Sequence, residues 1–269
     1  MELSVAIASK NALPSAFVVW RGFEESIRKA SEYGYHGVEL ALKSADEITP
    51  SLLSKWLTAE NMKVSCISTG QVYADTGLMF SDRDPGKREK VIRIFRELID
   101  LAADYSQMVN VGRIRGPIGD RGREEVEGLF IETTRALCDY AAPRNVKILL
   151  EPVNRYEIDF INSVEEGVAI LKKVDRPNFK IMPDVFHMNI EDRTIGGELE
   201  KNMEHVAYIH LADSNRLAPG QGHTDFHDIF KHLGKANYHG WVSIEILPEP
   251  DPDTAARQAS DYLRQFIVN

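Results

Sequence analysis

Four residues stand where apolar runs end. They are Glu151 in Leu-Leu-Glu-Pro, Asp184 in Met-Pro-Asp-Val, His210 in Tyr-Ile-His-Leu and Glu245 in Ser-Ile-Glu-Ile. Successive members lie 33, 26 and 35 residues apart. Carboxylates beside such runs are costly to bury unless something positive neutralises them. Three carboxylates and one imidazole offer mostly hard oxygen donors, a set suited to manganese, magnesium or cobalt rather than to a tetrahedral thiolate zinc site. Taken singly, each residue is more often a salt-bridged structural group than a ligand. One at the end of each successive run reverses that balance. The set predicts a cage for one divalent cation.

Such a cage needs elements that bring the four side chains to one place. Short β-branched runs occur at residues 3–7, 37–40, 63–69, 108–112, 147–151, 179–182, 206–210 and 241–245. They alternate with helical patterns at 23–33, 50–60, 84–104, 124–142, 164–174, 195–203, 226–234 and 254–267. Punctuation supports these limits: Gly34 closes the first helix, Pro50 and Pro85 sit in first turns, and Ser163 reads as an N-cap. A Gly/Arg-rich loop covers 112–123. Strands separated by helices pair in parallel. An open doubly wound sheet is one way to arrange them. Eight units without a composition break or long linker instead predict a single eight-stranded parallel (β/α)8 TIM barrel, one domain over residues 1–269. The four residues then line adjacent strands at the carboxyl-terminal rim, where barrel chemistry gathers.

Composition narrows the setting. A chain of 269 residues and 30.4 kDa matches one such barrel in size. A net charge of −9 and a pI near 5.4 oppose binding to a phosphate backbone. No apolar run approaches the ~20 residues that a membrane span needs. Met1-Glu2-Leu3-Ser4 lacks the basic region and apolar stretch of a secretory signal, and Cys66 and Cys138 lack metal-motif spacing. The expectation is a cytoplasmic protein with reduced thiols and neither membrane nor nucleic-acid partners. Phosphate-loop, nucleophile-elbow and H-E-x-x-H motifs are absent.

The segments Glu151-Pro-Val-Asn-Arg-Tyr-Glu157, Asp184-Val-Phe-His187-Met-Asn, His210-Leu-Ala-Asp-Ser-Asn-Arg216 and Ser-Ile-Glu245 carry a family resemblance. They resemble motifs of the xylose-isomerase-like TIM-barrel sugar isomerases and epimerases, nearest to the ketose 3-epimerase branch of D-tagatose and D-psicose 3-epimerases. Ser68-Thr-Gly-Gln-Val-Tyr73 and the stretch 154–162 look more like the 5-keto-L-gluconate epimerase type. The resemblance spans the chain and is most specific from Leu149 to Glu245. It implies a metal-dependent epimerase of a ketose or keto-sugar acid that works through a metal-stabilised cis-enediolate. Mn2+ is the first expectation for the metal, with Mg2+ or Co2+ as alternatives. Glu151 and Glu245 would bind the metal and exchange protons on opposite faces of the substrate carbon, with Asp184 and His210 as the other ligands. Glu157, His187 and Arg216 would contact the sugar. Homodimers or homotetramers are also implied.

Each flanking residue has a plainer account beside its functional one. His187 could be a capping or core histidine, Arg216 a surface partner of Asp213, and Glu157 a solvated loop carboxylate. Arg113 and Arg115 end the fourth strand, and Arg155 stands near Glu151. An arginine fork suits a carboxylate, so Arg115 or a neighbour is a candidate clamp for an acidic substrate. Balancing rim carboxylates is an equally good use for these arginines. Phe17, Trp20 and Tyr73 could wall the sugar carbons, and the resemblance implies that the loop carrying His223 lies near the site, with no role assigned to that residue. A hydroxypyruvate isomerase or another aldose-ketose isomerase would use the same ligands. An abasic-site endonuclease would need more histidine ligands than these strand ends supply. A non-catalytic sugar-binding barrel would have no use for paired glutamates.

Overall fold

A computed structural model describes residues 1–267. Its eight barrel strands are β1 (Glu2–Ala8), β2 (Gly37–Ala41), β3 (Lys63–Ser68), β4 (Met108–Val111), β5 (Lys147–Leu150), β6 (Phe179–Ile181), β7 (Tyr208–Leu211) and β8 (Trp241–Ile244). All pair in parallel, in the order β6-β5-β4-β3-β2-β1-β8-β7. Between β6 and β7 the ladder thins to two bridges, Ile181 with Val206 and Asp184 with His210. The result is a nearly closed barrel whose seam passes between two of the four rim residues.

The sequence patterns explain these elements. Strands covered by helices on one side and filled by side chains on the other bury both faces, so they read as unbroken apolar runs. In β1 every residue after Glu2 is buried. The helix Phe23–Glu32 turns Phe23, Ile27 and Ala30 inward, and Gly34 follows it at a φ of 79°, where a side chain would be strained. The helix Pro85–Asp104 starts at Asp84, whose carboxylate accepts the Gly86 N–H at 2.8 Å. Its residues Phe95, Leu98, Ile99 and Ala102 face the core.

The differences from expectation have local causes. The last helix is Pro252–Leu263 rather than 254–267, because Asp251 caps it by accepting the Thr254 N–H at 2.9 Å and Pro252 takes a first-turn position. Two further helices, Gly70–Thr76 and Val185–Glu191, lie where the hydrophobic pattern predicts no element. Both are about two turns long, too short for periodicity to register. Both follow strand ends and help build the mouth of the barrel. Between β2 and β3 the register shifts after Val38, leaving Ser65 as an extra residue. Bulges of this kind re-aim side chains, and Glu39 lies beside this one.

Candidate active site

Glu151 directly follows β5 and Glu245 directly follows β8. Asp184 is the N-cap of Val185–Glu191, and His210 lies within β7. Each offers one ligand atom, and these atoms all lie within 4.8 Å of one another. Adjacent strand ends explain the convergence. The orientation of His210 has a further cause. Its Nε2 contacts both Glu39 carboxylate oxygens, at 2.9 and 3.0 Å, while the Tyr208 hydroxyl donates to Glu39 at 2.9 Å. The other ring nitrogen, Nδ1, therefore faces the cage. It is buried without a hydrogen-bond partner among the described residues. Its neighbours are Glu151 Oε1 at 3.4 Å, Glu245 Oε2 at 3.6 Å and Asp184 Oδ2 at 3.8 Å. A bare imidazole nitrogen among three carboxylates fits a divalent cation, and the donor set matches the hard-metal expectation.

The two glutamates differ in their surroundings. Burial opposes ionisation of Glu151, but His210 beside it outweighs that cost and holds its carboxyl below the usual range. Burial, reinforced by Glu151 and Asp184, pushes Glu245 up to about 8 against the pull of His210 and Arg216. Asp184 is buried too, yet the Arg216 guanidinium foremost holds it well below the ordinary carboxylate range. The two glutamates thus sit in different electrostatic surroundings.

Arg216 supplies much of the positive charge. Its Nη1 donates to Asp184 Oδ2 at 2.6 Å, and its Nη2 bonds to Glu245 Oε2. Its backbone φ is 64°, a left-handed conformation uncommon for non-glycine residues. Asp213 is not its side-chain partner. That carboxylate accepts the backbone N–H groups of Ser214, Gly220 and Thr224 instead. The guanidinium also lies over the rings of Phe17 and Phe186, 5.0 and 4.8 Å from their centroids. His187 lines the cavity with its Nε2 3.8 Å from Asp184 and 3.9 Å from Glu151. Glu157 lies beside it, half-buried and on the same cavity wall.

Other candidates fall elsewhere. Arg115 is turned away from the cavity and completely buried. Its guanidinium donates to the backbone carbonyls of Phe160, Gly112, Glu151 and Ile161 at 2.7 to 3.0 Å. With its donors spent on main chain, it braces the β4 and β5 loops and cannot clamp a substrate. Arg113 lines the cavity instead. Arg155 pairs with Glu191 at 2.7 Å on the surface. Trp20 donates to Asp253 at 2.8 Å outside this cavity, and His223 is exposed. Of the three aromatics, Phe17 alone lines the cavity.

Two residues that the motifs miss support Glu151. Asn110 donates to Glu151 Oε2 at 3.1 Å and is itself held by the Thr69 N–H at 2.8 Å. Gly112 leaves room for the same oxygen, since a Cβ there would stand 2.9 Å from it. Glu39 is the third omission. Its signal is visible in hindsight: an acid inside the apolar run Gly37-Val-Glu-Leu.

A (β/α)8 barrel with an acid and imidazole cage at its carboxyl-terminal mouth has the architecture of a barrel enzyme. The family model described as Xylose isomerase-like TIM barrel matches residues 27–266, and the chain belongs to that family. An L-ribulose 3-epimerase from Methylomonas sp. (strain DH-1) is 29% identical over 235 residues, covering 83% of this chain and 78% of the relative. A human protein provisionally named a hydroxypyruvate isomerase is 29% identical over 243 residues, 86% of each chain. The crystal structure of a Methylomonas sp. D-allulose 3-epimerase in complex with D-allulose superposes with a TM-score of 0.85 at 25% identity, covering 99% of this chain and 97% of that one. These names place the chain among carbohydrate enzymes of the isomerase class. No helix among the described residues is long and apolar enough to cross a membrane.

Proposed function

We propose that this chain is a divalent-metal-dependent epimerase of a ketose or keto-sugar acid. The observation that carries this reading is the pair of glutamates at one cage. Glu151 follows β5 and Glu245 follows β8, so they reach the cage from different parts of the barrel wall. A substrate held between them meets a glutamate on each face. Glu151 takes the proton from the carbon beside the ketone, and Glu245 returns one to the opposite face. In the reverse direction their roles exchange. Glu151, Asp184, His210 and Glu245 would hold the metal, which would supply Lewis-acid stabilisation of charge on substrate oxygens. Arg216 and His187 orient those oxygens, and Glu157 accepts a sugar hydroxyl.

Arg113 favours the acidic branch of the substrate class. Its nearest carboxylate, Glu157, is 3.8 Å away, beyond hydrogen-bonding distance, so its fork is open to a ligand. The test is metal analysis of the purified protein followed by a panel of D-fructose, 5-keto-gluconate and hydroxypyruvate in deuterated water. Epimerised product carrying one solvent deuterium at the inverted carbon is expected. Turnover of hydroxypyruvate alone would establish the isomerase reading instead. With Arg113→Gln, kcat/KM for a keto-acid should fall about 10–100-fold more than for a neutral ketose, as expected for a lost charged contact. Equal losses would remove the acid preference.

A further inference from the structure

Beside the cage, His187 has one ring nitrogen committed and one free. Its Nδ1 lies 2.8 Å from the Asn154 Nδ2. Which group donates there depends on how the Asn154 amide is turned, and its other contacts decide that. The Asn154 Oδ1 accepts the Tyr156 N–H at 3.0 Å, and Nδ2 also donates to Glu157 Oε1 at 3.1 Å. The reversed amide would set an N–H against the Tyr156 N–H and an oxygen against the Glu157 carboxylate. Both contacts would be repulsive, and Asn154 is too buried for water to relieve them. The amide therefore donates to His187 Nδ1, which must accept.

A neutral imidazole that accepts at Nδ1 carries its proton on Nε2. That N–H lies on the cavity side, and the nearest carboxylates, at 3.8 and 3.9 Å, are too distant to take up its hydrogen bond. We propose that Asn154 is a positioning residue that holds His187 as the neutral Nε2–H tautomer, leaving that N–H unspent for a substrate oxygen. The distinction matters chemically. An imidazolium could surrender its proton to the carboxylates beside it. A neutral N–H keeps its proton while still stabilising charge that grows on a bound oxygen. This inference rests on the epimerase reading for its catalytic meaning, but the tautomer itself can be measured without turnover.

The experiment is 15N spectroscopy of the protein loaded with diamagnetic Mg2+, with labelled histidine. The His187 ring signals are assigned by their loss in His187→Gln. The wild type should show an unprotonated Nδ1 and a protonated Nε2. Asn154→Asp, nearly isosteric and able only to accept at that position, should move a proton onto Nδ1. Asn154→Ala, which removes the donor, should give averaged shifts from mixed tautomers. A wild-type ring protonated on Nδ1 or on both nitrogens would overturn the proposal, as would ring signals unchanged in both variants. If the substrate panel yields turnover, Asn154→Asp should lower kcat by about 10–100-fold with little change in KM, as for an interaction made mainly in the transition state. A panel without turnover would count against the epimerase reading while the ring signals still decide the tautomer.

Discussion

At the scale of single residues, the cage depends on partners that are not ligands. Glu39 takes up His210 Nε2 and so turns Nδ1 toward the three carboxylates. Partners of this kind typically tune metal affinity by about 10–100-fold. Glu39→Gln should weaken binding of Mn2+ by that order in calorimetric titration, while Tyr208→Phe, which removes the donor to Glu39 along with the contacts to Ser4 and Ser65 but keeps the carboxylate, should have a smaller effect. Unchanged affinity in Glu39→Gln would mean that β7 alone sets the ring. For the proton exchange itself, Glu245→Gln should lower turnover by about 10²–10⁴-fold, the usual contribution of a positioned acid or base. Retained exchange of the substrate C–H with solvent in that variant would show Glu151 working alone on one face. Residual epimerisation near the wild-type rate would remove Glu245 from the mechanism.

At the scale of elements, the loops after β4 and β5 form one unit. Arg115 ties them together through four carbonyls, Asn110 holds one oxygen of Glu151, and Gly112 leaves that oxygen its space. Gly112→Ala would drive a methyl group against the Glu151 carboxylate. The expected result is a loss of kcat of about tenfold or more, because small misplacements of reacting groups are costly. The melting temperature should change little by comparison. The buried Arg115 is different. Truncating it would remove a donor from four carbonyls and leave Phe160 and Glu151 without that partner, while Gly112 and Ile161 keep backbone donors, so Arg115→Ala should destabilise the fold by several kcal/mol. Wild-type stability in Arg115→Ala would show that the bracing is dispensable.

At the scale of the whole molecule, the seam between β6 and β7 is the thinnest part of the barrel wall. Asp184 and His210 form one of its two bridges, so a bound ion would join the two sides at that point. Removing the metal with a chelator should lower the melting temperature, and restoring it should raise the temperature in proportion to the logarithm of metal concentration. A second whole-molecule effect concerns pH. Burial, with Glu198, Glu191 and Glu165 nearby, raises Asp192 from 3.8 to about 7 against the Val164 N–H that favours its ionised form. The folded state then holds a proton that the unfolded chain has released. This contribution is present below pH 3.8 and is lost as pH rises toward 7. Asp192→Asn should therefore stabilise the protein at pH 8 by about 1–2 kcal/mol, allowing for solvent exposure of the group, and by less at pH 5. Equal effects at both pH values would rule out this origin.

The sequence by itself determined the barrel and the four rim residues. Apolar runs alternating with amphipathic helices leave few ways to bury both faces of each strand, and a charged residue ending such a run is conspicuous. The local signals for Asp84, Ser163 and Gly34 were equally legible, because capping is settled within a few residues. Tertiary structure alone decided how the rim is wired. Arg113 and Arg115 lie two positions apart in one short loop, yet one faces the cavity and the other is buried against carbonyls. Glu39 meets His210 across the barrel, and Asn154 reads the orientation of His187 from Tyr156 and Glu157. Hydrogen-bond direction depends on which groups meet in space, and nothing in the spacing of residues along a chain specifies that.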